Sequence, residues 1–147
     1  MTGRFDLVSC IGASWIFGGH SNTLEALKEL VEPGGLIIVG EPFWIKEPAD
    51  DYLEASGIKR NDFSTHYDNA TAGKAFGLTL VHTFVSTPND WDMYEGLQWF
   101  AADAFAQANP DDPDVPKLLE RVTKEKEVYL KWGRDTLNWA IYLFRVP

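Results

Sequence analysis

The stretch Phe5-Asp6-Leu7-Val8-Ser9-Cys10-Ile11-Gly12-Ala13 carries apolar side chains on both alternate faces. That pattern predicts a strand covered on both sides, as in a parallel sheet, rather than a half-exposed antiparallel one. Asn22, with Glu25 three residues on, makes a capping-box-like helix start. Leu24, Leu27, Leu30 and Val31 then share one helical face, and Pro33-Gly34-Gly35 reads as the stop. Leu36-Ile37-Ile38-Val39 follows as a short apolar strand ended by Gly40. Strand, helix and strand over residues 5–44 form a βαβ unit, whose crossover is expected to be right-handed.

Downstream the pattern is less regular. Pro48 to Ser56 predicts a short helix closed by Gly57, and Asp62 to Ala75 a second with polar interruptions. Leu78–Val85 is β-branched and aromatic, which favours a strand. Asn89 and Asp90 can cap a helix with Trp91, Tyr94, Leu97, Ala101, Ala104 and Phe105 on its inner face. The run Asn109–Asp114 is a turn too short to separate domains. A long helix is expected from about Pro116 to Gly133, with Leu118, Leu119, Val122, Tyr129 and Trp132 inward. Residues 138–146 are apolar on both faces around Trp139–Phe144, and so predict an interior strand. The fold class is α/β.

Composition bounds the setting. The 147 residues suit one domain, 1–147, or one large piece of one, and 45% hydrophobic content supplies a packed core. With 22 acidic against 13 basic residues, the net charge is −9 and no basic cluster is present, so neither nucleic acid nor an anionic membrane is an expected partner. The single cysteine, Cys10, leaves no intrachain disulfide and fits a reducing cytoplasm. No apolar run approaches the ~20 residues of a membrane span.

In open α/β sheets ligands sit beyond the carboxyl ends of the strands. Two loops qualify. Ser9 to His20 offers Gly12, Gly18 and Gly19 for close backbone approach, with Trp15 and Phe17 as flat apolar surfaces. Gly40-Glu41-Pro42-Phe43-Trp44 offers a carboxylate and two aromatics. Aromatic walls with a few polar groups describe a small-molecule pocket. Each residue also has a plainer reading: the glycines shape a turn, Glu41 is a strand-end carboxylate, and His20 is either a general base or a helix-start residue. His66 and His82 read as structural, and the aromatic helix reads as core, although Trp91 and Tyr94 near its start could line the pocket. The spacing of three His and one Cys holds no metal signature, and neither a G-x-S-x-G elbow nor a Walker loop occurs.

Taken in order, Phe5-Asp6-Leu7-Val8, then Ile11-Gly12-Ala13, Leu30…Pro33-Gly34-Gly35-Leu36 and Gly40-Glu41-Pro42-Phe43-Trp44 resemble the class I S-adenosylmethionine-dependent methyltransferases. Trp91-Asp92-Met93-Tyr94-Glu95 and Tyr129–Asp135 are similar to a bacterial branch acting on small molecules. The resemblance covers nearly the whole chain. It implies a partial Rossmann-like sheet made of the family's strands 4, 5 and 6, with an antiparallel strand 7 inserted between 5 and 6. Leu78–Val85 and Asn138–Val146 fit the last two places, and residues 88–135 become a helical insertion, a lid over the substrate. It further implies S-adenosylmethionine as cofactor, touched by Ser9, Cys10, Ile11, Gly12 and Ala13. A small-molecule methyl acceptor would lie against Trp15, Glu41, Trp44, Trp91 and Tyr94, with His20 as base where the acceptor must lose a proton.

The family's Gly-rich loop after its first strand, and the acidic residue ending its second, have no counterpart here. The expectation is therefore the C-terminal part of such an enzyme, from the fourth strand onward and without the N-terminal cofactor-loop half, active alone or only with a complementing N-terminal half. A second reading is a non-catalytic interaction protein, pairing as a homodimer or with a complementing half through an exposed edge of Phe5–Ala13. A third is an unrelated α/β binding protein with an aromatic pocket.

Overall fold

The computed structural model describes residues 4–147. Two compact units emerge. One takes the chain up to Ile45, then Lys59–Val85 and Leu137–Pro147; the other comprises Lys46–Ile58 and Ser86–Thr136.

The first unit is built on a mixed four-stranded sheet: β1 (Phe5–Ile11), β2 (Val31–Trp44), β3 (Thr79–Val85) and β4 (Leu137–Arg145) in the order β1-β2-β4-β3. β1 runs parallel to β2, and β4 is antiparallel to both β2 and β3. The doubly apolar last strand is thus interior, as its pattern predicts. Val39, Ala140, Tyr142 and Phe144 are fully buried, with α1 (His20–Lys28) contributing Leu24 to the same core. A short helix, α3 (His66–Ala72), begins in a Thr65–Asp68 capping box. His66 packs inward, its Nδ1 hydrogen-bonded to the Tyr142 hydroxyl at 3.0 Å, while His82 on β3 is exposed.

Several expectations are corrected. β1 is not covered on both sides: Phe5, Leu7 and Ile11 are each about half exposed, and the strand is the sheet's edge. α1 starts at His20 rather than Asn22, because Gly18 and Gly19, at φ +85° and +112°, turn the chain into it. It ends at Lys28, before Leu30 and Val31. Pro33-Gly34-Gly35 does not stop a helix but lies within β2, held there by long-range bonds from Gly34 N to Val146 O and from Val146 N to Gly35 O. Nor does Gly40 end β2, which continues to Trp44. Pro42 is tolerated because β1 pairs no further than Gly40, and Asn69 Nδ2 donates to the Pro42 carbonyl on this stretch. The helix expected over 62–75 is broken into a 3-10 turn at Arg60–Asp62, α3, and another 3-10 turn at Gly73–Phe76.

The second unit is helical: α2 (Asp50–Ser56), α4 (Pro88–Ala108) and α5 (Val115–Val128), the last passing into a π turn at Tyr129–Gly133. Thr87 caps α4 in a box with Asp90, so the helix begins earlier than Asn89. Its inner line is Trp91, Glu95, Trp99, Ala102 and Ala106, so the face expected from hydrophobicity holds only at Trp91; Tyr94, Leu97, Ala101, Ala104 and Phe105 are exposed. The small alanines sit where α4 is buried, and Trp99 meets Tyr129 edge-on at 5.8 Å. Arg134 clamps Asp92 through two N–H groups at 2.9 and 3.0 Å, and the Tyr129 hydroxyl donates to the same carboxylate at 2.8 Å.

Candidate functional site

β1 and β2 run in the same direction, so their carboxyl ends open on the same side of the sheet. There Gly12 N donates to Gly40 O at 3.1 Å, and a cavity of about 600 Å³ lies beyond. Its lining includes Gly12, Ser14, Trp15, Glu41, Phe63 and Trp139. Gly40 sits beneath the Trp139 indole: a Cβ there would lie 2.7 Å from the ring, so glycine is what lets the indole rest on the sheet. A smaller cavity of about 230 Å³ shares Gly18, Gly19, Glu41, Asn61 and Asp62 with the first, and adds His20, Asp68 and Asn69.

Glu41 is the pivotal side chain. It is only 4% exposed, and Ser14 donates a side-chain hydrogen bond to it. Its Oε2 has no partner among the described residues. Burial raises its pKa above the ordinary carboxylate value, against the opposing effect of Ser14. His20 is 8% exposed, with Nε2 3.0 Å from the Asn69 carbonyl. A carbonyl only accepts, so Nε2 carries the proton and Nδ1 is a bare acceptor, also without a partner among the described residues. Burial pulls the His20 pKa down to about 4, so the ring is uncharged at neutral pH.

The sequence-named residues separate clearly. Gly12, Trp15 and Glu41 line the larger cavity, and His20 with Glu41 the smaller. Ser9 and Ile11 are exposed on β1, with Cys10 and Ala13 half-buried beside them. Trp44 is buried away from both cavities, donating Nε1 to Arg60 O at 2.9 Å and meeting Phe63 edge-on. Trp91 and Tyr94 belong to the helical unit. There Tyr94 lines a separate cavity of about 540 Å³ with Tyr52, Glu95, Arg121 and Tyr129. Sequence reasoning missed Ser14, Asn61, Phe63, Asn69 and Trp139. Trp139 was within reach, because pairing the last strand antiparallel to β2 sets it opposite Pro42. The 61–69 segment carries no such local signal.

Among the described residues, no cluster of His, Cys, Asp and Glu could hold a metal ion, and no helix is long and apolar enough to cross a membrane.

No family model matches the chain. It is 29% identical over 141 residues to the uncharacterized protein YjhP of Escherichia coli (strain K12), covering 95% of this chain and 57% of that protein. It superposes on an S-adenosylmethionine-dependent methyltransferase from Geobacter sulfurreducens, solved with S-adenosyl-L-homocysteine, at a TM-score of 0.89 and 27% identity. A methyltransferase from Thiobacillus denitrificans, in complex with the same compound, matches at 0.87 and 29%. Both matches cover 100% of this chain and 60% of the other. The chain therefore spans about three-fifths of the length of these relatives, and its α/β, Rossmann-like fold is that of S-adenosylmethionine-dependent methyltransferases.

Proposed function

We propose that this chain takes part in methyl transfer from S-adenosylmethionine to a small-molecule acceptor, its crevice at the ends of β1 and β2 forming the acceptor side of the site. The observation that carries the reading is that crevice: a cavity of about 600 Å³ at the strand ends, walled by Trp15, Phe63 and Trp139 around a buried Glu41, in a chain with this fold. The donor is a sulfonium cation, and the lining fits it, with Glu41 and Asp62 and neither Lys nor Arg. When bound, it supplies an electrophilic methyl group. Ser9, Cys10, Ile11, Gly12 and Ala13 would hold it along the open end of β1. The chain's own residues contribute position and exclusion of water more than covalent chemistry. His20, uncharged and tied to Asn69, holds α1 against α3 beside the smaller cavity. The Gly-rich donor loop is not among these 147 residues, so affinity for the donor is expected to be weak. The test is where S-adenosylhomocysteine perturbs the backbone amides of the labelled chain, with Ser9–Ala13 expected to respond.

The outer side of β1 is a second functional surface in this reading. Among the described residues nothing pairs with this edge, which carries half-exposed Phe5, Leu7 and Ile11, the kind of edge that recruits another strand. The occupant proposed is a further strand of the same fold, since about two-fifths of the relatives' length has no match in these 147 residues. A second copy takes that place when nothing else does. Light scattering at micromolar concentration should then read a species heavier than 16.6 kDa, returned to monomer by Leu7→Lys. A clean wild-type monomer would count against edge pairing.

A further inference from the structure

Two buried hydrogen-bond acceptors, His20 Nδ1 and Glu41 Oε2, belong to side chains lining the same cavity of about 230 Å³, and neither has a partner among the described residues. Both residues are more than nine-tenths buried. Buried polar atoms are nearly always satisfied because leaving them unmet is costly. Two of them around one cavity therefore point to a group that enters and donates. His20 can only accept at Nδ1, because its single N–H is at Nε2 and donates to the Asn69 carbonyl. The residues lining the cavity add Asp62 and Asp68, and include no Lys or Arg. An anion would face three carboxyl groups there, and a hydroxyl would bring one proton for two acceptors. An ammonium brings charge and several donors together.

The adjoining larger cavity completes the picture. It shares Glu41 and Asp62 and adds Trp15, Phe63 and Trp139, aromatic surfaces that suit a cation and the carbon body attached to it. Resting on the methyl-transfer reading above, we propose that the acceptor molecule is a protonated amine, its N–H groups taken by Glu41 Oε2 and His20 Nδ1 and its apolar body lying against Trp15, Phe63 and Trp139. The claim is about recognition and needs no donor to be present.

The experiment uses the full chain, nitrogen-15 labelled, at pH 7.5. Three probes of similar shape are titrated: benzylammonium, benzyl alcohol and phenylacetate. Benzylammonium is expected to saturate and to shift the indole N–H signals of Trp15 and Trp139, with the alcohol at least about tenfold weaker and the anion weaker still. Glu41→Gln, similar in shape and uncharged, should weaken benzylammonium about tenfold while leaving the spectrum folded. If that variant fails to fold, the ranking of the three probes on the wild type still decides. Equal binding of the alcohol, preference for the anion, or an unchanged Glu41→Gln would overturn the proposal. So would silence from all three probes, the outcome expected if the cavity holds only water. The donor reading stands apart: S-adenosylhomocysteine shifting Ser9–Ala13 without amine binding defeats the amine alone, and the reverse pattern defeats the donor.

Discussion

Phe144→Ala is expected to lower the stability of the sheet unit by about 4 kcal/mol. Phe144 is fully buried on β4, paired with Ile37 on one side and Leu80 on the other. Its ring packs so closely on Gly73 that a Cβ there would lie 2.7 Å from two ring carbons. Truncation removes the transfer free energy of an aromatic ring and leaves a void. An interior strand bonded on both sides cannot move in to close it, so the loss should fall well inside the range for such substitutions rather than below it. Leu119→Ala is the control: the residue is 38% exposed on α5, and should cost less than about 1 kcal/mol. Urea unfolding reads both, and a Phe144→Ala loss below about 1 kcal/mol would mean that the core is not centred on β4.

The second large effect is on pH dependence. In the folded chain the His20 pKa is lowered to about 4, chiefly by burial and against the opposing effect of the Asn69 carbonyl. Unfolded, it returns to about 6.5. Between those values the unfolded chain binds the proton and the folded chain does not, so stability falls as pH drops. His20 contributes its full share above pH 6.5 and about 3 kcal/mol less by pH 4. Glu41 runs the other way, since its raised pKa makes the folded chain hold a proton that the unfolded chain releases as pH rises. His20→Gln separates the two, keeping an amide donor for Asn69 while removing the titration. The variant should lose less stability than wild type between pH 7 and pH 4; equal losses would mean that His20 is solvated rather than buried. Tyr142 and Phe144 meet the His20 ring, with centroids at 5.2 and 6.2 Å, which accounts for its desolvation.

What was legible in the sequence follows from how local each signal is. The doubly apolar run at 138–146 announced an interior strand, and its place between β2 and β3 matches what the resemblance implies. Equal apolarity on β1 announced the same burial and was misleading, because hydrophobicity reports what a strand prefers and not what lies beside it. Gly34, Gly35 and Pro42 looked like breaks in β2. They are strand residues because β4 and Asn69, distant in sequence, satisfy the backbone around them. The inner face of α4 was misread because Tyr94, Leu97, Phe100 and Phe105 lie exposed, while Ala102 and Ala106 sit where the helix is buried. Within the site, Gly12, Trp15 and Glu41 were visible, since each closes a strand or opens the loop after it. Phe63 and Asn69 were not, because only the folded chain brings the 61–69 segment to the ends of β1 and β2.

The central claim is that the end of β1 receives the methyl donor beside the Glu41 crevice. Titrating S-adenosylhomocysteine into the labelled chain and mapping its amide shifts tests this directly. The account predicts saturable shifts at Ser9–Ala13 and at the Trp15 and Trp139 indoles, with a dissociation constant of about 1 mM or weaker. Silence at Ser9–Ala13, shifts confined to the helical cavity around Tyr94 and Arg121, or tight binding at micromolar concentration would contradict it.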